Sequence, residues 1–341
     1  MNSGKKAALV IALCLIAAGL VLGGVALAAN RFHPEDLVKR SSSLKEAAYP
    51  VAEPFTALEI HAIDGDVRLL PSTDGKCRVE CMENEEQTHR VEVRGSTLYV
   101  ERQLRNRVGV TFSPIERDYI RIYLPESDYE KLILETSSGD VECPAEFSFG
   151  EASVSTSSGD VAFRSGVEGA LTVSATSGEV EVSGVSLGSL SISAASGDIR
   201  LKGVDAGDLS LSAVSGDIAL KEATLSGEGR LNTSSGDLRL ENVSCASLAL
   251  ESSSGTKYLT DVLVSGELRS ESTSGDLTLL RCDAASLYLR ATSGEVRGSL
   301  RTEKVFFTDT SSGSVKVPQS MSGGKCEIHT TSGDIKLTVG E

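Results

Sequence analysis

Nine carboxylates recur at one position of this sequence: Asp140, Asp160, Glu179, Asp198, Asp217, Asp237, Asp276, Glu295 and Asp334, each directly after a Ser-Gly pair. A row of like carboxylates could do two kinds of chemistry. Neighbours could share a divalent cation, or two of them could flank a glycosidic bond as acid and base. The serine before each glycine adds a hydroxyl of the type used in nucleophilic catalysis. The spacing distinguishes no pair, however, and no Gly-x-Ser-x-Gly stands between a strand and a helix. An Asp-type turn residue is the plainer reading of the column, and a cation-binding ladder is the alternative. Calcium-binding β-rolls use a shorter glycine-rich nonapeptide that this chain lacks.

The histidines do not help. His33 falls in a linker, His61 and His89 in an irregular strand-rich region, and His329 in the last repeat, and none forms a motif with Ser and Asp. Seven cysteines suggest a disulfide framework until they are aligned with the repeat. Cys143, Cys245, Cys282 and Cys326 then fall in columns that are elsewhere Leu or Val, and they read as small buried hydrophobes. Cys77 and Cys81 share a strand face about 13 Å apart, too far to bridge each other. Cys14 follows Leu13, too large a residue for a lipobox. No catalytic, cofactor-binding or metal-ligating residue is assigned.

The carboxylates are positioned by a repeat. Gly139, Gly159, Gly178, Gly197, Gly216, Gly236, Gly255, Gly275, Gly294, Gly313 and Gly333 lie 19 or 20 residues apart, each after a serine. A fixed period of this length marks a solenoid. Apolar residues alternate with polar ones on both sides of each glycine, as in Leu190-Ile192 and Ile199-Leu201. That is the period of half-buried strands. A further inward position follows at Val185, Val204, Ala223, Val243, Val262 and Cys282. Two strands and a short third side predict an all-β parallel β-helix, eleven coils over residues 131–341, on the order of 50 Å long at about 4.8 Å per coil. The small residue three before each glycine, and the glycine itself, fit a tight corner where φ is positive.

Before the regular coils, residues 54–130 read as irregular entry and capping coils of the same solenoid. Leu58 to Leu69 resembles an eroded coil with Gly65 in the glycine's place, and further strands are expected near 77–82, 89–94, 97–102 and 119–124. Residues 30–53 read as a juxtamembrane linker or short helix. Ahead of them, Ala7 to Ala29 carries no charge and is long enough to span a bilayer, after a cytoplasmic stretch 1–6 with Lys5 and Lys6. The expectation is one transmembrane signal anchor at 7–29 in a bacterial cell membrane, with the solenoid extracellular, although Ala26-Leu27-Ala28 also suits signal-peptidase cleavage.

The net charge is -15, which opposes nucleic acid as a partner of the exported part. The Gly65-Asp-Val opening, the Ile122-Tyr-Leu-Pro125 strand and the serial Ser-Gly-Asp-Val/Ile-x-Leu coils resemble the bacterial putative-adhesin family, β-solenoids that include LiaG-like envelope proteins. The resemblance spans roughly residues 53–340. It implies a Gram-positive, membrane-anchored protein facing outward and tied to envelope-stress signalling, and it supplies no catalytic residues.

These readings converge on a non-enzymatic surface protein that binds cell wall, another envelope protein or a host surface. One alternative is an end-to-end scaffold, because the last coil, Ser332 to Val339, is expected to end the stack uncovered. A polysaccharide-active β-helix enzyme is the other. Two coils break pattern and are the places to look for a site. The Gly255 coil has Thr256, Lys257 and Tyr258, with a bulge or register shift expected at Lys257. The Gly313 coil has Ser314 and is preceded by Phe306-Phe307.

Overall fold

The computed structural model describes residues 43–104 and 118–340. Among these residues every regular element is a β-strand, and no helix is long and apolar enough to cross a membrane. The expected anchor at 7–29, Cys14 and His33 lie outside the described residues.

The repeat columns stack as parallel ladders. Val180, Ile199, Ile218, Leu238, Lys257, Leu277 and Val296 stand over one another in unbroken register. Like side chains therefore meet like, and Leu190, Leu209, Leu248, Leu268 and Leu287 form one buried file facing Ile199, Leu201 and their equivalents. The core is this file continued through the whole stack.

Three corners turn each coil. At the first, a Cβ on Gly197 would lie 2.0 Å from the Gly178 carbonyl oxygen, and one on Gly236 would lie 2.0 Å from that of Gly216. Gly178 has φ of 110°, yet Gly236 does not take a positive φ, so close approach to the preceding coil is what every corner shares. At the second corner, six residues on, the backbone is left-handed. Gly184 and Gly203 give way there to Glu222, Asn242, Asp261 and Arg281, with φ of 53° to 55°. The third corner is another column of small residues, among them Gly188 and Gly207.

At both ends, spatial order departs from chain order. Ala57–His61 lies between Asp128–Ser138 and Thr97–Leu104, so the coil containing Thr97–Leu104 and Tyr119–Leu124 is the outer one. Antiparallel strands finish this end: Cys77–Glu83 on Tyr119–Leu124, Lys45–Val51 on Cys77–Glu83, and Gln87–Arg94 on Thr97–Leu104. Lys45–Val51 is thus a sheet strand, where the sequence suggested linker or short helix. Its Tyr49 and Val51 pack on the core, which fixes it there.

At the far end, Gly324–Ser332 pairs with Leu277–Ser293 on one side and Lys304–Ser312 on the other. Ile335–Val339 is likewise held between Val296–Leu300 and Val315–Lys316. The last coil in the chain is an inner coil, and the Gly313 coil ends the stack. The uncovered end expected at Ser332 to Val339 is therefore at Lys304–Ser312 instead. This accounts for the irregular Gly313 coil: its inward positions include Thr308 and Thr310, and Val315 is 43% exposed where buried counterparts such as Val296 are 1% exposed.

Candidate binding groove

The acidic column is a hydrogen-bonded ladder. Asp140 Oδ1 accepts the backbone N–H of Asp160 at 2.9 Å, Asp198 that of Asp217 at 2.9 Å, Asp217 that of Asp237 at 2.8 Å, and Asp276 that of Glu295 at 2.8 Å. Each carboxylate thereby satisfies an N–H of the next coil at the corner. Basic residues three after the glycine take up remaining oxygens: Arg200 pairs with Glu179 and Asp198, Arg239 with Asp217 and Asp237, and Lys336 with Asp334 and Glu295. Hydrogen bonding from Asp237 and Arg239 holds the Asp217 carboxyl below its usual range. Among the described residues no three His, Cys, Asp or Glu side chains are grouped to hold a metal.

The histidines are spent on carboxylates of their own neighbourhood. His61 bridges Glu59 and Glu135, His329 meets Glu327, and His89 lies buried in the entry cap with Nδ1 3.2 Å from Glu83. Burial holds the His89 imidazole below its ordinary pKa. Cys143, Cys245, Cys282 and Cys326 are free and buried, as their columns predict, and Cys77 and Cys81 are free and buried too. Burial pushes the Cys143 thiol up to about 12, far from a reactive thiolate.

The Gly255 coil departs from the rest in composition, and its one register shift lies between Val264 and Glu267, not at Lys257. Lys257 stands between Leu238 and Leu277 with no bulge, contrary to expectation, and is 1% exposed. Room for it comes from across the core, where Ser270 (2% exposed) occupies a column that is Leu250 and Leu289 in adjacent coils. The Lys257 ammonium donates to the Glu271 carbonyl oxygen at 2.6 Å. Burial pushes it down to about 8. Lys304, the other buried lysine, has a carboxylate partner in Asp283 at 2.7 Å; Lys257 has none.

Above Lys257 the outer surface opens into a polar groove of about 540 Å³, lined by Asn232, Glu251, Ser252, Glu271, Ser272, Arg290 and neighbouring hydroxyls. Ser252 is 8% exposed, and its Oγ has no hydrogen-bond partner. Elsewhere in the same column the hydroxyl is used internally: Thr136 donates to the Ser138 carbonyl and Thr233 to that of Gly216. Arg290 and Glu251, both exposed, form no ion pair among the described residues, whereas Glu271 is paired with Arg269. The groove thus presents a guanidinium and a carboxylate that form no ion pair among the described residues, over a buried ammonium that does not line it.

The same side of the rod continues, away from the Gly313 end, as two ranks of small hydroxyls. Ser153, Thr172, Ser191 and Ser210 stand in register, as do Ser155, Ser174, Ser193 and Ser212. The next coil continues the ranks with Arg230 and Asn232, which brings them to the groove.

The sequence marked the Gly255 coil but not the groove. Lys257 and Ser270 are visible as separate exceptions, and the signal missed was that they face each other across one core layer. The left-handed corner was also missed, because Glu222, Asn242, Asp261 and Arg281 share a backbone requirement and no side-chain chemistry.

The sequence profile of the family described as Toastrack DUF4097 matches residues 55–256 and 242–340. No curated protein matches the sequence. Among solved structures, the chain is similar to a putative adhesin from Parabacteroides merdae (13% identity, 76% of this chain and 98% of that one, TM-score 0.49). A putative adhesin from Parabacteroides distasonis is similar at 13% identity over 87% and 98% of the two chains, TM-score 0.45. One from Bacteroides fragilis is similar at 14% identity over 88% and 100%, TM-score 0.39.

Proposed function

The chain belongs to the Toastrack DUF4097 family, and from that premise we propose that it is a non-enzymatic binding protein of the bacterial envelope. On this reading residues 7–29 hold it in the membrane, and the solenoid stands outside the cell against cell wall, another envelope protein or a host surface. The observation that carries the reading is where the polar groups are committed. The corner carboxylates tie one coil to the next, and the described histidines pair within the fold. Arg290 and Glu251, which form no ion pair among the described residues, share one outward groove. That distribution suits holding a ligand better than transforming one. The test is affinity capture from envelope extract with the detergent-solubilised full chain. Specific retention of a wall or envelope component is expected, and retention no better than that of a heat-unfolded control would overturn the reading.

End-to-end assembly is a second reading, moved by the stacking order to the Gly313 coil. There Lys304–Ser312 keeps one unpaired edge, and Phe307 and Val315 are 53% and 43% exposed. Sedimentation of the full chain in detergent across a concentration series tests it, and a single invariant species would exclude it.

A further inference from the structure

We propose that the groove over Lys257 seats one sugar unit of an uncharged glycan, and that the glycan chain continues along the rod over the hydroxyl ranks towards Ser153. The inference deepens the binding reading above and rests on it.

Three observations lead to this ligand class. First, the groove is built rather than incidental. A leucine column is interrupted on both sides of the core, by Lys257 and by Ser270, in the coil and layer beneath it. Solenoid columns are kept apolar because a buried ammonium is costly, so the interruption needs a compensating role. Second, the groove displays donors and acceptors together: the Arg290 guanidinium, the Asn232 amide and the Glu251 carboxylate. Planar amide, guanidinium and carboxylate groups hydrogen-bond vicinal hydroxyls bidentately, and with Glu271 paired to Arg269, Arg290 and Glu251 leave the groove formally neutral. An anionic or cationic polymer would meet one unfavourable pair of charges there; a neutral polyol meets none.

Third, the two hydroxyl ranks leading away from the groove carry no charge of their own, and Arg230, paired with Glu228, stands where one of them joins it. Neither rank from Ser153 and Ser155 to Ser210 and Ser212 contains an ionisable side chain, in a sequence that is 24% charged. None of these eight hydroxyls has a hydrogen-bond partner among the described residues. Successive members of a rank stand one strand spacing apart, about 4.8 Å, close to the advance of an extended β-1,4-linked glycan per sugar. A chain laid along the rod would therefore meet equivalent hydroxyls at each unit. Without aromatic platforms in the groove, recognition is by hydrogen bonds.

The experiment is retention of the full chain, purified in detergent, on chitin and on cellulose as uncharged β-1,4 glycans, with dextran sulfate beads as the charged control. Retention on an uncharged glycan is expected to persist at about 0.5 M NaCl, since screening weakens only charge-driven contacts. Arg290→Ala with Glu251→Ala should weaken it roughly tenfold or more, and Ser174→Glu with Ser193→Glu should do the same from the track. Arg164→Ala, on a different side of the rod, should leave it unchanged, and matched thermal melts check that each variant folds. Retention on dextran sulfate alone, no retention, or retention insensitive to both double variants would overturn the assignment. If the chain still captures an envelope component by a route that these variants do not touch, the binding function stands and only the glycan site falls.

Discussion

Asp334 Oδ1 accepts the backbone N–H of Ser314 at 2.8 Å, although Ser314 comes one full coil earlier in the chain. The corner ladder elsewhere runs from each aspartate to the coil that follows it, so this bond records the reversal of the last two coils. The reversal makes an unusual forecast for a chain terminus. Ile335–Val339 has a paired strand on both sides, while Val315–Lys316 and Lys304–Ser312 each have one free edge. Native-state hydrogen exchange should therefore find the amides of Ile335–Val339 slower than those of Val315–Lys316, the opposite of ordinary fraying from the C-terminus. Faster exchange at 335–339 would mean that the coils stack in chain order.

The same ladder predicts how an interior corner responds to substitution. Asp217 accepts from the Asp237 N–H and pairs with Arg239. Asp217→Ala should cost about 1–2 kcal/mol, because the N–H above loses a charged acceptor. Asp217→Asn keeps an acceptor oxygen and should cost less. The carboxyl pKa is lowered in the folded state, so its contribution is complete above the unfolded value and disappears as pH falls through the folded one. Urea melts of both variants at neutral pH check the order, and equal losses would place the effect on charge rather than on the corner bond.

How much of this could be read beforehand follows from what a period encodes. Columns such as Leu190, Leu209 and Leu248 report burial directly, so the solenoid, its inward faces and the buried cysteines were legible. Stack order was not. The Gly313 and Gly333 coils carry the same Ser-Gly signature, and nothing local says which of them lies on Gly294. The signal was displaced into composition, in Thr308 and Ser314, which suit an open end but look like mere irregularity in the sequence. The groove was illegible for a related reason. Lys257 and Ser270 are 13 positions apart, and only the triangular cross-section puts them in one layer.

His89 makes the entry cap sensitive to acid. It lies 6% exposed, with Glu83 at Nδ1 and the Arg102 guanidinium in its field, and its Nε2 has no partner. Burial lowers its pKa, so the unfolded chain takes up a proton first as pH falls below about 6.5. Stability from the neutral imidazole is complete above that pH and is lost as pH drops through the folded value. Thermal melts at pH 7.5 and 5.5 should show a fall that His89→Phe reduces. An identical fall in the variant would assign the acid sensitivity to carboxylates instead.

Lys257 gives a slope of the same sign at the alkaline end. Its folded pKa near 8 lies below the usual lysine value of 10.5, so between those values the unfolded chain binds more protons than the folded one. Stability should rise across that window, and below pH 8 the full penalty applies, at most about 3 kcal/mol. Lys257→Met removes the buried charge and should stabilise the protein at pH 7 by about 1–3 kcal/mol, with the pH-dependent difference from wild type vanishing by pH 10.5. Ser270→Leu alone should destabilise, because the added side chain competes with the lysine stem for one layer of core. Combined with Lys257→Met it should become favourable, giving a coupling of about 1 kcal/mol or more in a double-mutant cycle. Strict additivity would show that the two exceptions in the apolar columns are independent, and that Ser270 is not what makes room for the lysine.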